Sequence, residues 1–239
     1  YKWHIDKIME YKPALGLKVN DIYNGDFNSM MEEYNEYCDE FGPAIELGCY
    51  GGYIVMKFDH TIVNVKGKKD IEIWSNGTWA AQGIVMVAYD RNKNGKADED
   101  EWYEIAGSEH NKSTTLVDYE LTYSLPDYST SGKEIMTWKD NKENTGEISF
   151  NYYGTPENPF QSAFPGWIED EIVVKGKLLD KSQITEESWG YAGLDKSQGV
   201  GSPIDLNWAI DNDGKSVTLP GIDFIKIYTA TLNESNDLN

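Results

Sequence analysis

The run from Asp90 to Glu101 is rich in side-chain oxygens at alternate positions: Asp90, Asn92, Asn94 and Asp98, closed by Asp100 and Glu101. Calcium takes six to eight oxygens at about 2.3–2.6 Å, and a twelve-residue loop supplies them from its positions 1, 3, 5, 7, 9 and 12. Those positions here hold Asp90, Asn92, Asn94, Lys96 (through its main-chain carbonyl), Asp98 and Glu101. Gly95 falls at the sixth position, where the chain must turn sharply and a side chain is a hindrance. The match to the calcium-loop pattern is complete, so calcium is the expected cofactor. A solvated Asx-rich turn without metal is the competing reading. Asp100 stands beside Glu101 and would take over as last ligand after a small change of register.

A second acidic turn, Asp211-Asn212-Asp213-Gly214, lacks downstream ligands and reads as a hairpin turn. Catalytic patterns are sparse. The three histidines, His4, His60 and His110, show no zinc-ligand spacing, and His60 is expected to satisfy a local hydrogen bond. No nucleophile elbow, phosphate loop or dinucleotide fingerprint occurs. A carboxylate pair for glycoside hydrolysis is defined by spatial separation, so the sequence alone does not pick one out. The expectation is therefore a binding protein that is not an enzyme. Aromatic residues near strand ends, among Gly, Pro and Asn, are candidates for stacking on a ligand: Trp79, Tyr153, Phe160, Phe164, Trp167, Trp189 and Tyr191. Alternatively those rings plug the ends of a sandwich. Trp208, in Asp205-Leu-Asn-Trp-Ala-Ile210, is expected in the core.

The elements that must carry these residues are mostly strands. Apolar–polar alternation in Ile71–Trp74 and Phe224–Tyr228 is the signature of strands with one wet face. Further strands are expected at Trp3–Tyr11, Tyr53–Phe58, Gly83–Tyr89, Trp102–Ala106, Tyr119–Ser124, Glu147–Tyr153, Ile172–Lys175, Ile204–Ile210, Ser216–Leu219 and Phe224–Thr229. The calcium loop thus joins two strands. A switch needs two helices to reorient, so a structural staple is expected. One helix, over about 29–41, opens on Ser29 and Glu32 as a capping box. Met30, Met31, Tyr34, Cys38 and Phe41 follow at helical spacing, and Gly42-Pro43 stops it. The polar stretches Ser129–Thr145 and Thr155–Pro165 read as long loops. About ten strands, one helix and no strand–helix–strand rhythm predict a mostly β chain: a single β-sandwich or jelly roll over 1–239. Residues 1–20 form a lead-in strand, and 230–239 are expected as a tail without fixed structure.

Forty-one acidic residues against 21 basic ones give a net charge of −20. Such a surface repels nucleic acid and anionic membranes, which need clustered Lys and Arg, and attracts divalent cations. Hydrophobic residues make up 39% of the chain, enough for a sizeable core, and 16 Tyr and eight Trp suit pleated surfaces. The longest apolar run, Gly83–Tyr89, is far short of the ~20 residues that cross a bilayer. Cys38 and Cys49 are too few for a disulfide scaffold and read as buried thiols, although pairing between them stays open.

Several segments together resemble a known family: Gly51–Asn64, Gly83–His110, Trp189-Gly-Tyr-Ala192, and Asp205–Asp211 leading into Leu219–Thr229. They are similar to secreted or lipid-anchored cell-surface proteins of Bacteroidetes, some described as PKD-domain-containing, over about Glu10 to Thr229. The resemblance implies one β-sandwich on the outer face of the cell, anchored through a lipid-bearing residue upstream of Tyr1. It also implies an Asp/Asn-rich loop entering a Trp-Tyr-Glu strand, matched by Asp90–Glu104, and an accessory role in nutrient uptake, for corrinoids or glycans, beside an outer-membrane transporter. The expected function is capture of an extracellular glycan or small nutrient by a calcium-bearing surface module. Two alternatives differ in class: an adhesion or structural protein that binds a macromolecule, and a calcium-dependent polysaccharide hydrolase.

Overall fold

The computed structural model describes residues 2–14, 26–37, 45–75, 81–124, 133–151, 171–194 and 201–232. The chain is mostly β, with antiparallel sheets and one α-helix, compatible with a β-sandwich. The largest sheet has seven strands. Its path runs β1 (Lys7–Lys12), β2 (Tyr53–Val63), β13 (Gly221–Thr229), β4 (Gly83–Ala88), β5 (Trp102–Ile105) and β12 (Ala209–Ile210), and β10 (Tyr191–Ala192) also pairs with β4. A four-stranded sheet orders β8 (Thr145–Asn151), β7 (Lys133–Asp140), β6 (Leu116–Ser124) and β9 (Glu171–Leu178). A small ribbon pairs β3 (Ile71–Ile73) with β11 (Ser202–Ile204).

β13 organises the large sheet. It is hydrogen-bonded to β2 on one side and β4 on the other. Its alternation does not produce a wet face, because both faces are covered: Phe224, Ile225, Ile227 and Tyr228 are all buried. Ile225 and Ile227 join Ile54, Met56, Val85 and Val87 in one core, under the helix and the β3–β11 ribbon. Tyr228 points the other way, packing with Ile84, Tyr191 and Leu179. The inner face of the four-stranded sheet forms a third cluster, in which Tyr119, Leu121, Tyr123, Met136, Ile148 and Val174 close around Cys49 and Tyr50. Gly51 sits at that junction with φ +86, and a Cβ there would lie 2.2 Å from Val174.

The helix, α1, spans Phe27–Tyr37 and starts two residues before the sequence reading placed it. Its cap is Asp26, not Ser29: the carboxylate accepts from the Asn28 amide at 3.0 Å and the Ser29 hydroxyl at 3.2 Å. A carboxylate satisfies the orphan amides of a first turn and also favours the positive helix end, so Asp26 outcompetes the serine. Met30 and Met31 are buried as the periodicity required. Cys38, Phe41 and Gly42-Pro43 lie outside the described residues.

The reading of Ser129–Thr145 as loop is overturned by β7. Met136 and Trp138 are buried while Thr137 and Lys139 are exposed, so half of each two-residue period is polar and the stretch averages as a loop. Pairing with β8 reveals the strand. Trp138 stands opposite Gly146, where a Cβ would come within 2.5 Å of the indole. In the turn between these strands, Asp140 accepts from the Lys142 and Asn144 amides and from the Tyr119 hydroxyl. Burial acts to raise its pKa, but hydrogen bonds from Asn144, Tyr119 and Lys142 outweigh it and hold the carboxyl below its ordinary range.

The expected strands at Ile204–Ile210 and Ser216–Leu219 also change form. A 3-10 turn at Leu206–Trp208 separates β11 from β12, because the Asp205 carboxylate caps it through the Asn207 amide. Only Ser216 of the second segment makes a bridge, to Ile210. Ala230 and Thr231, expected in the tail, are fully buried; Ala230 N donates to the Gln82 carbonyl and its own carbonyl accepts from Leu179 N.

Candidate metal centre

β4 and β5 are antiparallel neighbours, with Ala88 opposite Trp102 and Met86 opposite Glu104. The segment from Tyr89 to Asp98 is therefore the connection of a hairpin, in the strand–loop–strand setting the sequence indicated. Asp223, on the central strand, anchors its entrance. One carboxylate oxygen accepts from the Asp90 amide at 2.9 Å and the other from the Thr61 hydroxyl at 2.6 Å. Sequence reasoning missed this residue. The available signal was an acid inside a largely apolar strand, which needs polar partners to be tolerated.

Within the loop, oxygens are aimed at backbone amides in an ordered series. The Asp90 carboxylate accepts from Asn94 N at 2.9 Å and Gly95 N at 2.8 Å. Asn92 Oδ1 accepts from Asn94 N at 2.9 Å, and Asn94 Oδ1 from Lys96 N at 2.8 Å. These are Asx turns, in which a side-chain oxygen reaches the amide two residues on. Gly95 has φ +78, the left-handed geometry its place in the pattern demands. Lys57 Nζ donates to the Gly95 carbonyl at 3.3 Å and ties the loop tip to β2.

Glu101 closes the loop. It is 1% exposed, its Oε1 accepts from Arg91 N at 2.9 Å and its Oε2 from Asp98 N at 3.1 Å. Asp100 points outward with an 81% exposed side chain, paired with the Arg91 guanidinium. The 3-10 turn at Glu99–Glu101 decides this register by rotating Glu101 inward and Asp100 out. The two Asn amide nitrogens converge on Asp98 Oδ2, at 2.6 Å from Asn92 and 2.9 Å from Asn94. All five expected side-chain ligands, Asp90, Asn92, Asn94, Asp98 and Glu101, are thus linked in one hydrogen-bond network.

Among the described residues, no three His, Cys, Asp or Glu side chains form a group that would hold a metal by themselves. Coordination here would draw on asparagine and main-chain oxygens as well, the donor set that suits a hard cation. Each carboxylate oxygen has two lone pairs, so an amide bond at one leaves the other for an ion.

The second acidic turn is a hairpin turn. Asp211 accepts from the Asp213 and Lys215 amides, and Gly214 has φ +76. His60 bonds to the carboxylate of its neighbour Asp59, the local contact expected of it.

The aromatic candidates divide. Trp79, Tyr153, Phe160, Phe164 and Trp167 lie outside the described residues. Trp189 is 42% exposed and leans on Trp208, with ring centroids 4.4 Å apart and planes tilted by 49°. Trp208 is not core but half-buried, held between Trp189 and the Lys69 ammonium, which sits 3.7 Å from its ring centroid. Tyr191, expected at a ligand surface, lies in the interior instead. It is 2% exposed, its hydroxyl accepts from the Glu109 amide at 2.9 Å, and its ring occupies the space a Cβ on Gly107 would need. The short strand β10 turns it into the interior, so it offers no face to a ligand. Burial pushes its phenol pKa well above the ordinary value.

A second polar cluster escaped the sequence reading. Lys177 Nζ donates to both oxygens of Glu104, at 2.8 and 2.7 Å, and lies 3.0 Å from His110 Nδ1. Lys177 belongs to the four-stranded sheet and Glu104 to the seven-stranded one, so the ion pair joins the two. Neither a family model nor a curated protein matches the chain. Among the described residues no helix is long and apolar enough to cross a membrane.

Proposed function

We propose that this chain is a calcium-binding module of the cell surface that captures an extracellular ligand without transforming it. The observation that carries the metal reading is the Asp90–Glu101 network. Its oxygens are already ordered by Asx turns and by the Glu101 clasp, so an ion would find the loop folded and not have to fold it. Ordering the donors beforehand removes part of the entropic cost of coordination. Flanking strands make the ion a staple between β4 and β5. The ligand is a glycan or small nutrient such as a corrinoid, and supply to an outer-membrane transporter is the role we assign. That assignment and the outer-surface location are supported by the resemblance to Bacteroidetes surface proteins. The half-exposed Trp189, backed by Trp208, supports a stacking contact with a ring.

The deciding experiment is calorimetric titration of calcium into chelator-stripped protein, with Asp90→Ala in parallel. Saturable binding of one ion, abolished in the variant, is the expected result. Absence of binding at millimolar calcium would remove the metal from the function.

A further inference from the structure

We propose that the concavity beside the acidic loop binds a monoanionic ring compound, one carrying a carboxylate on a sugar-sized ring. The concavity has a volume of about 400 Å³, within the range of small-molecule sites. Its lining includes the apolar Val55 and Phe224 of the central strands, with Met9 and Trp102. Lys226, Lys96 and Glu10 bring charge to it.

Lys226 is the residue that calls for a ligand. It is half-buried on β13, where every position except Asp223 and Lys226 is buried. Its ammonium lies 4.0 Å from the centre of the Tyr53 ring, an attraction between cation and π face. Among the described residues no hydrogen bond or ion pair reaches its Nζ. Burial lowers its pKa, and the nearby charge of Glu10 offsets part of that. Glu10 is not paired with it: the Glu10 Oε1 accepts from the Tyr53 hydroxyl and faces the Lys12 ammonium, each at 2.9 Å, and among the described residues no ion pair joins Glu10 to Lys226. A part-desolvated ammonium without a counter-ion is costly, and an anion arriving from outside would relieve that cost.

The surroundings say which anion. The chain carries −20 overall, yet Lys226, Lys96 and Lys57 gather here, with Lys57 Nζ 5.2 Å from the Phe224 ring centre. Among the lining residues Glu10 is the single acid, and the carboxylates of Asp90, Asp98 and Glu101 in the adjoining loop weigh against a second negative charge on the ligand. A monoanion on a compact ring satisfies both conditions, and a phosphate dianion should bind more weakly. Lys96 and Ala97 belong to the acidic loop, so neutralising Asp90, Asp98 and Glu101 with calcium should strengthen anion binding. That coupling alone rests on the metal reading; the pocket does not.

Methyl β-glucuronide is the probe, with methyl β-glucoside and glucose 6-phosphate as the neutral and dianionic comparisons, each titrated with calcium present and then with chelator. The expected result is saturable glucuronide binding, weakened about tenfold or more in Lys226→Gln and retained in Lys226→Arg. Lys96→Gln should weaken it less, and it stands in if Lys226→Gln does not fold. Equal binding of the glucoside, tighter binding of the phosphate, or insensitivity to Lys226→Gln and Lys96→Gln would overturn the site. Glucuronide binding that persists with no calcium isotherm would sink the metal reading and leave the pocket standing.

Discussion

Replacing Asp90 with alanine removes two backbone hydrogen bonds and a ligand in one step. Its carboxylate accepts from Asn94 N at 2.9 Å and Gly95 N at 2.8 Å. Bonds to a charged acceptor contribute about 1.5–3 kcal/mol when buried, and on a half-exposed loop about 1 kcal/mol each is the better figure. The variant should therefore be roughly 2 kcal/mol less stable without metal. Calcium at ~1 mM, binding at ~10⁻⁴ M, stabilises the wild type by about 1.4 kcal/mol through mass action. For a chain of this size 1 kcal/mol shifts the melting temperature by about 2–4 °C. In differential scanning calorimetry the wild type should rise by about 3–6 °C on adding calcium, and the chelated variant should melt about 4–8 °C below the chelated wild type. The variant should show no calcium-dependent rise. A variant that keeps the whole rise would remove Asp90 from the ligand set. A wild type indifferent to calcium, with the variant still destabilised, would leave the hydrogen bonds in place and end the metal argument.

Truncating Met136 to alanine should cost about 2–5 kcal/mol in urea unfolding, as for other fully buried apolar side chains; a change below the error of the titration would mean that β7 does not line the core. The Cys49 thiol, whose pKa burial pushes up to about 12, should resist a thiol reagent at pH 8 in the native protein and react fully once unfolded. Its raised value also has a sign for stability: the contribution is complete below the unfolded value of 9.0, falls as pH rises above it and is lost through the folded value. Tyr50, Tyr123, Tyr191 and Tyr228 shift in the same direction through burial. Stability should therefore fall steeply on the alkaline side, and flat stability from pH 9 to 12 in a denaturant series would contradict the burial of these groups. Glu104→Gln leaves Lys177 half-desolvated beside His110 and should destabilise by roughly 2–4 kcal/mol, less than a fully buried pair; Glu104→Gln with Lys177→Met should recover part of that loss in a double-mutant cycle.

The amino-acid sequence determined what depends on local spacing. Alternate apolar residues marked most strands, Met30 and Met31 marked the buried side of α1, and the positions of Asp90, Asn92, Asn94, Gly95 and Glu101 marked the acidic loop and its strand–loop–strand setting. Such patterns are legible because side-chain direction repeats every two residues in a strand and every 3.6 in a helix, whatever lies across the gap. The structure supplied what depends on who the neighbours are. β7 became a strand through β8, and β13 lost its wet face because both sides of the sheet are covered. Tyr191 went inside because β10 pairs with β4, and the inward turn of Glu101 followed from one 3-10 turn. Asp223 met the loop, Lys177 met Glu104, and Lys226 came to stand above Tyr53 with no counter-ion among the described residues, by contacts between residues far apart in the chain. No short window of sequence encodes those meetings, because each depends on the register and packing of whole sheets.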